Sequence, residues 1–277
     1  MSRWWRQRRE LFQKGHAENY LFDRYVFRYL SLPISVVAAG LGIQPNTVTL
    51  VSLLSALGSL YFLTMDEAPA LMVGAALIAI YYTLDHVDGE LARYYVASGK
   101  RKQSTEGEYF DVLCHWYSSN LMLFFLGIGA WRSLGYEWAV LLGFLACIGT
   151  SHFPMLVAAR VAVQRIGRVP EAGVPADMTR VVELLERKQL EAAAVKASWR
   201  SAAKWRKLAA EAVSFPGILM LIILAVMMDA LLAGPVIRQW ETNYRLLLVT
   251  AVSALATVQT LLSALKWFRE YKTVGSA

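Results

Sequence analysis

From residue 47 onward, long apolar runs alternate with short charged stretches. A helix needs about 20 apolar residues to cross the hydrocarbon layer of a bilayer. Six segments come close to or exceed that length: 47–64, 70–94, 107–131, 138–163, 215–233 and 246–267. Upstream, the stretch 18–42 mixes Tyr20, Phe22, Tyr25, Phe27 and Tyr29 with Asp23, Arg24 and Arg28, and Trp4 and Trp5 stand among arginines. Both stretches read as amphipathic helices lying in the membrane interface. Pro33 and Pro45 are expected to break the chain, and Asn46 to cap the first span.

The stretch 164–213 is long for a connection and opens irregularly with Gly167, Pro170, Gly173 and Pro175. Beyond Asp177, apolar residues recur at helical spacing (Val181, Leu185, Leu190, Val195, Trp199), interleaved with Arg180, Glu183, Lys188 and Lys196. That pattern predicts one or two amphipathic cytoplasmic helices resting on the membrane or on the protein itself, the plainer reading being a surface with no part in chemistry. The expected architecture is an all-α integral membrane protein. It has an N-terminal interfacial region, 1–44, and a six-helix transmembrane domain, 45–277, that carries the cytoplasmic amphipathic insertion 164–213.

Composition agrees with a membrane setting. Hydrophobic residues make up 56% and charged residues 18%, against about half and about a quarter in soluble domains. The net charge of +7 does not call for nucleic acid, because the cations gather beside the apolar runs. Arg3, Arg6, Arg8, Arg9 and Lys14 precede the spans, Arg93, Lys100, Arg101 and Lys102 follow the second, and Lys266, Arg269 and Lys272 close the chain. The opposite loops hold little beyond Arg132, Arg238 and Arg245, beside Asp66 and Glu67. The positive-inside rule then places both termini in the cytoplasm. No apolar stretch directly follows the basic N-terminus, so no cleavable signal peptide is expected. Cys114 and Cys147 lie inside apolar runs without metal-like or disulfide spacing, as small core residues do.

The chemistry concentrates at one membrane border. Asp85 and Asp88 share a helix face that Ala92 continues, and Gly107, Asp111 and His115 form a second line at the start of the third span. Consecutive helices joined by a short loop run antiparallel, so the two lines can face each other. Three carboxylates brought together there repel one another unless a hard cation such as Mg²⁺ or Mn²⁺ binds them through oxygen. Ionisable residues at a membrane are functional candidates by default, and carboxylate-held divalent ions commonly position phosphates. Gly89 and Gly107 leave room for a ligand against backbone. Arg93 suits a bidentate phosphate contact, although a basic flank of a span looks the same in sequence. His86, on another face, reads as an ordinary interfacial residue. His152, beside Pro154 in the fourth span, reads as an internally bonded histidine or a cavity lining. Ser118, Ser119 and Asn120 continue the third span past His115, with Ser119 placed to orient its ring or line an acceptor pocket.

This pattern, Asp85-x2-Asp88-Gly89-x2-Ala92-Arg93 followed by Gly107-x3-Asp111, resembles the signature of the CDP-alcohol phosphotransferases (CDP-alcohol phosphatidyltransferases). The order of parts is similar too, with an interfacial N-terminal helix and Pro45-Asn46-x2-Thr49 entering the first span; the likeness is motif-specific through Trp131 and topological beyond it. It implies a membrane enzyme of phospholipid biosynthesis that transfers a phosphoalcohol group from a CDP-alcohol to an alcohol or lipid hydroxyl and releases CMP. By that resemblance Asp85, Asp88 and Asp111 hold one or two Mg²⁺ or Mn²⁺ ions. Gly89, Ala92, Arg93 and Gly107 frame the CDP moiety, and Asn46 and Thr49 are lesser donor-site candidates. Membrane lipids, a homodimer of the kind usual in the family, and a bacterial inner membrane complete the expectation, although no strict Gly-x3-Gly face marks a dimer in this sequence.

Two departures stand out. Thirteen residues separate Arg93 from Gly107, more than the family's usual spacing, so a longer cytoplasmic loop is expected, with Lys100, Arg101 and Lys102 near anionic lipid or phosphate. The family's last aspartate, assigned as the base for the acceptor hydroxyl, is His115. A neutral imidazole can accept that proton; it can also ligate metal or contact substrate, or mark a repurposed site. Transfer from a CDP-polyol to a glycan or other non-lipid acceptor, and a non-catalytic membrane binder on the same fold, therefore stay open.

Overall fold

The computed structural model describes residues 3–13, 26–100, 105–150, 215–232 and 243–258. Within these, the side chains of 3–7, 105–109, 112, 115–116, 150 and 215–216 are not described. Every element among the described residues is helical: α1 Arg3–Phe12, α2 Arg28–Gly40, α3 Pro45–Leu63, α4 Ala68–Ala97, α5 Thr105–Leu134, α6 Trp138–Thr150, α7 Phe215–Leu232 and α8 Tyr244–Val258. Helices α3 and α4 are long and apolar enough to cross a membrane, with 39% and 44% of their most apolar windows buried. The expected helices at 18–25, the His152 kink, the insertion 164–213 and the far ends of the fourth and sixth spans lie outside the described residues.

Three local expectations are corrected. Asn46 does not cap α3: Pro45 takes the first helical position, where its missing N–H costs nothing, so Gln44 becomes the N-cap. Pro33 does not break the chain but sits inside α2. It removes one bond from the helix ladder, while Ser31, Leu32 and Ser35 around it are all buried and hold the helix in place. The extra residues after Arg93 do not all enlarge the loop either. Helix α4 runs on to Ala97 and α5 starts at Thr105, leaving only 98–104 between them. Gly99, at φ 70°, and the bond from Lys100 N–H to Tyr95 O end α4 in a tight left-handed turn.

Helix α4 is the axis of the fold, contacted by α1, α2, α3 and α7, while α5 packs on α3 and α6. Leu63, Ile78, Met122, Leu126, Ile222 and Val249 meet in the main core. Small residues bring backbones together. A Cβ on Gly127 of α5 would stand 2.6 Å from Ala139 O and 2.9 Å from Gly143 Cα of α6, so these helices cross where neither has a side chain. Helix α2 has its polarity reversed. It buries Ser31 and Ser35 while exposing Leu30, Ile34, Val37 and, just past its end, Leu41. Leu50, Leu54, Leu57 and Tyr61 likewise form an exposed stripe along α3.

At the α3–α4 turn, Arg245 of α8 is 1% exposed and uses all five of its donors. Nε donates to Asp229 Oδ2 (2.8 Å), Nη1 to Leu63 O and Met65 O (3.1 and 2.8 Å), and Nη2 to Asp66 Oδ1 and Ser133 Oγ (3.1 and 2.8 Å). The sequence presents Arg245 as a loop charge; the fold makes it a buried tie between four helix ends. Gly129 leaves the space that this guanidinium and the Leu63 carbonyl occupy.

Candidate metal centre

Helix α4 brings Asp85 and Asp88 to one face, and α5 runs back past it carrying Asp111. One carboxylate oxygen from each of the three lies within 4.8 Å of the others. Asp88 is buried and Asp85 and Asp111 are half-buried. Helix α3 adds a third side, since Thr49 Oγ1 donates to Asp88 Oδ2 at 2.7 Å.

Three ionised groups this close repel by about 3 kcal/mol per pair at an effective dielectric near 20. A cation removes that cost. Oxygens around a Mg²⁺-sized ion lie about 3 Å apart when adjacent and about 4 Å apart when opposite, so small side-chain rotations close the present arrangement onto one ion. The donor set is all oxygen, which suits a hard divalent ion. The group can hold a metal ion, and Thr49 fixes the orientation of one of its carboxylates.

Helices α4 and α5 are fastened to each other at mid-length, one turn from the aspartates. One turn before Asp85, the Tyr81 hydroxyl lies 2.9 Å from Ser118 Oγ of α5, and Ser118 also donates to Cys114 O at 2.8 Å. Ser118 thus joins the two helices here. His115 lies in α5 one turn beyond Asp111, and Gly107 in its first turn; the imidazole is outside the described side chains. His86 packs against Tyr82, with ring centroids 4.8 Å apart, and near Phe27. Ala92 is half-buried on the Asp88 face, and Asn46 is exposed at the mouth of α3.

Two turns past Asp88 on the same face of α4, Tyr95 borders a hollow of about 470 Å³ that is also lined by Ala39, Gly42, Gln44 and Lys100. The Tyr95 hydroxyl donates to Ile43 O at 3.0 Å, and Lys100 Nζ lies 5.8 and 6.0 Å from the Tyr94 and Tyr95 ring centroids.

Arg93 and Gly89 are paired in a way the motif alone does not reveal. The guanidinium lies across Gly89, with Nη1 3.3 Å from where a Cβ would stand, and its Nε donates to Phe12 O at the end of α1 (2.8 Å). Sequence reasoning missed Glu90, which is 1% exposed and accepts hydrogen bonds from Gln13, Ser31 and Ser35. The available signal was a glutamate off the aspartate face, together with two hydroxyls one turn apart in an apolar helix.

Compared with models of known protein families, the chain matches none, and no curated protein matches it either.

Proposed function

We propose that this chain is a six-span membrane CDP-alcohol phosphotransferase. The observation that carries the reading is the convergence of Asp85, Asp88 and Asp111, the aspartates of a seven-position motif, at the end of the long apolar run of α4. Asp88 stands about 30 Å along α4 from its outer end at 1.5 Å per residue, and residues 68–84 between carry no charge. That separation is the thickness of a bilayer's hydrocarbon layer, with the Arg245 tie at one border and the aspartates at the other. The exposed apolar faces of α2 and α3 then face lipid, in keeping with large apolar patches marking contact surfaces.

The residues fit Mg²⁺ or Mn²⁺, which Asp85, Asp88 and Asp111 would hold; the bound ion supplies positive charge against a pyrophosphate. Arg93 offers its guanidinium to a phosphate oxygen. The Tyr95 hollow, on the Asp88 face, has the size of a small-ligand site and would take the nucleoside. The acceptor oxygen forms a bond to the β-phosphorus while the bond to the bridging oxygen breaks, and CMP leaves with that electron pair. The hydroxyl proton passes to the His115 imidazole.

A CMP-release assay on purified protein with a panel of CDP-alcohols and acceptors, with and without Mn²⁺, tests the reading. Metal-dependent release that Asp111→Asn abolishes supports it. His115→Ala should lose about 10²-fold or more in rate, as when a general base is removed, while His115→Asp retains part of it. Release from no donor would leave the binder reading, and full activity in Asp111→Asn would remove the metal argument. Because His115 replaces the usual aspartate, the panel must include CDP-polyols with non-lipid acceptors.

A further inference from the structure

We infer that the N-terminal segment ending at Gln13 is a built-in part of the nucleotide site, and that Gln13 and Glu90 are positioning residues that fix the Arg93 guanidinium beside the aspartates. The inference rests on the functional reading above, since it presumes a phosphate to be held there.

Glu90 follows Asp88 by two residues, so it leaves α4 on a different face, toward α1 and α2. There its carboxylate is enclosed: Gln13 Nε2 and Ser31 Oγ donate to Oε1 at 2.7 and 2.9 Å, and Ser35 Oγ donates to Oε2 at 2.5 Å. The second hydrogen of the Gln13 amide goes to Arg28 O at 2.8 Å. One buried amide thus ties the end of α1 to the start of α2 and to the helix that carries the metal ligands. A polar group so enclosed is costly to leave unsatisfied, so the bonds hold this corner in one arrangement.

That corner sets Arg93. Phe12, next to Gln13, stacks on Tyr94 with centroids 4.6 Å apart and planes 5° apart, and its carbonyl takes the Arg93 Nε–H at 2.8 Å. With Nε pinned and no Cβ at Gly89 to displace it, the guanidinium lies across the Gly89 backbone, the residue between Asp88 and Glu90 in the chain. Among the described residues, nothing accepts a hydrogen bond from either Nη. The fork that suits a phosphate is therefore ordered before any ligand arrives, and preordering of this kind raises affinity by lowering the entropy lost on binding. The plainer alternative is that Arg93 only caps the C-terminal end of α1, as cations there do.

The full-length protein in nanodiscs, with CDP as the probe at saturating Mn²⁺, separates these. Calorimetry should find CDP affinity about tenfold weaker in Gln13→Ala, the scale on which outer-shell partners act. Arg93→Ala should weaken it further, and the double variant should be no weaker than Arg93→Ala alone. Mn²⁺ binding without nucleotide, read by electron paramagnetic resonance, should be unchanged in Gln13→Ala. Glu90→Gln, which keeps the side-chain volume but loses one acceptor, should repeat the Gln13→Ala pattern and serves if that variant does not fold. Unchanged CDP affinity in the single variants, or losses that simply add in the double, would overturn the inference. Wild-type protein that binds no CDP with Mn²⁺ would bring down the functional reading beneath it, whereas wild-type binding with additive losses would remove the strap alone.

Discussion

Asp88 sits among neighbours that oppose its charge on one side and support it on the other. Asp85 and Asp111 crowd it within 4.8 Å, while Thr49 Oγ1 donates to its Oδ2 from 2.7 Å. Thr49→Val keeps the shape and removes the donor. It should weaken Mn²⁺ affinity by about tenfold, the lower end for lost outer-shell partners, with the melting temperature little changed; titration followed by electron paramagnetic resonance reads this directly. That Asp85 and Asp88 share a face was legible in sequence because helical spacing fixes which residues do so, and their meeting with Asp111 followed from two consecutive antiparallel helices. Glu90 was not legible. It lies inside the same motif, and only the folding back of α1 and α2 encloses it with donors from residues 55 to 77 positions away.

Among the elements, the α5–α6 crossing depends most on the absence of side chains. Gly127 and Gly143 meet backbone to backbone, so a larger residue has nothing flexible to displace. Gly127→Leu should force α5 and α6 apart and destabilise the protein by about 1–3 kcal/mol or more, as overpacking does, seen as a lower unfolding midpoint in detergent. Helix existence was readable from apolar run length, and the starts of α3, α4 and α5 fall within two residues of the expected ones. The ends differ where local stereochemistry competes with hydropathy: Pro45 moves the α3 cap to Gln44, and α4 outlasts its apolar run to stop at Gly99.

Across the whole molecule, two polar knots lie at opposite ends of a column of apolar helices. The Arg245 knot joins α3, α5, α7 and α8, and breaking it leaves Asp229, 9% exposed, without its charge partner. Arg245→Ala should cost about 3–5 kcal/mol of stability and leave any Mn²⁺ affinity of the folded protein unchanged, because the aspartate cluster lies about 30 Å away along α4. Stability from denaturant titration and metal affinity from the same preparations check both halves. The orientation read from the positive-inside rule has its own test. With Cys114 and Cys147 replaced by alanine, Ser98→Cys should react with an impermeant thiol reagent only from the cytoplasmic side, and Tyr136→Cys only from the outside. The reverse pattern would invert the topology.

Apolar periodicity and charge placement were enough to read an all-helical chain and to single out three aspartates, since run length and face-sharing are properties of neighbouring residues. The same chemistry could not say that Arg245 is buried with five acceptors, that Gln13 reaches Glu90, or that α1 ends against Arg93. Those facts belong to residues far apart along the chain, and a polar side chain acquires its partners only when packing closes the distance and expels the alternatives.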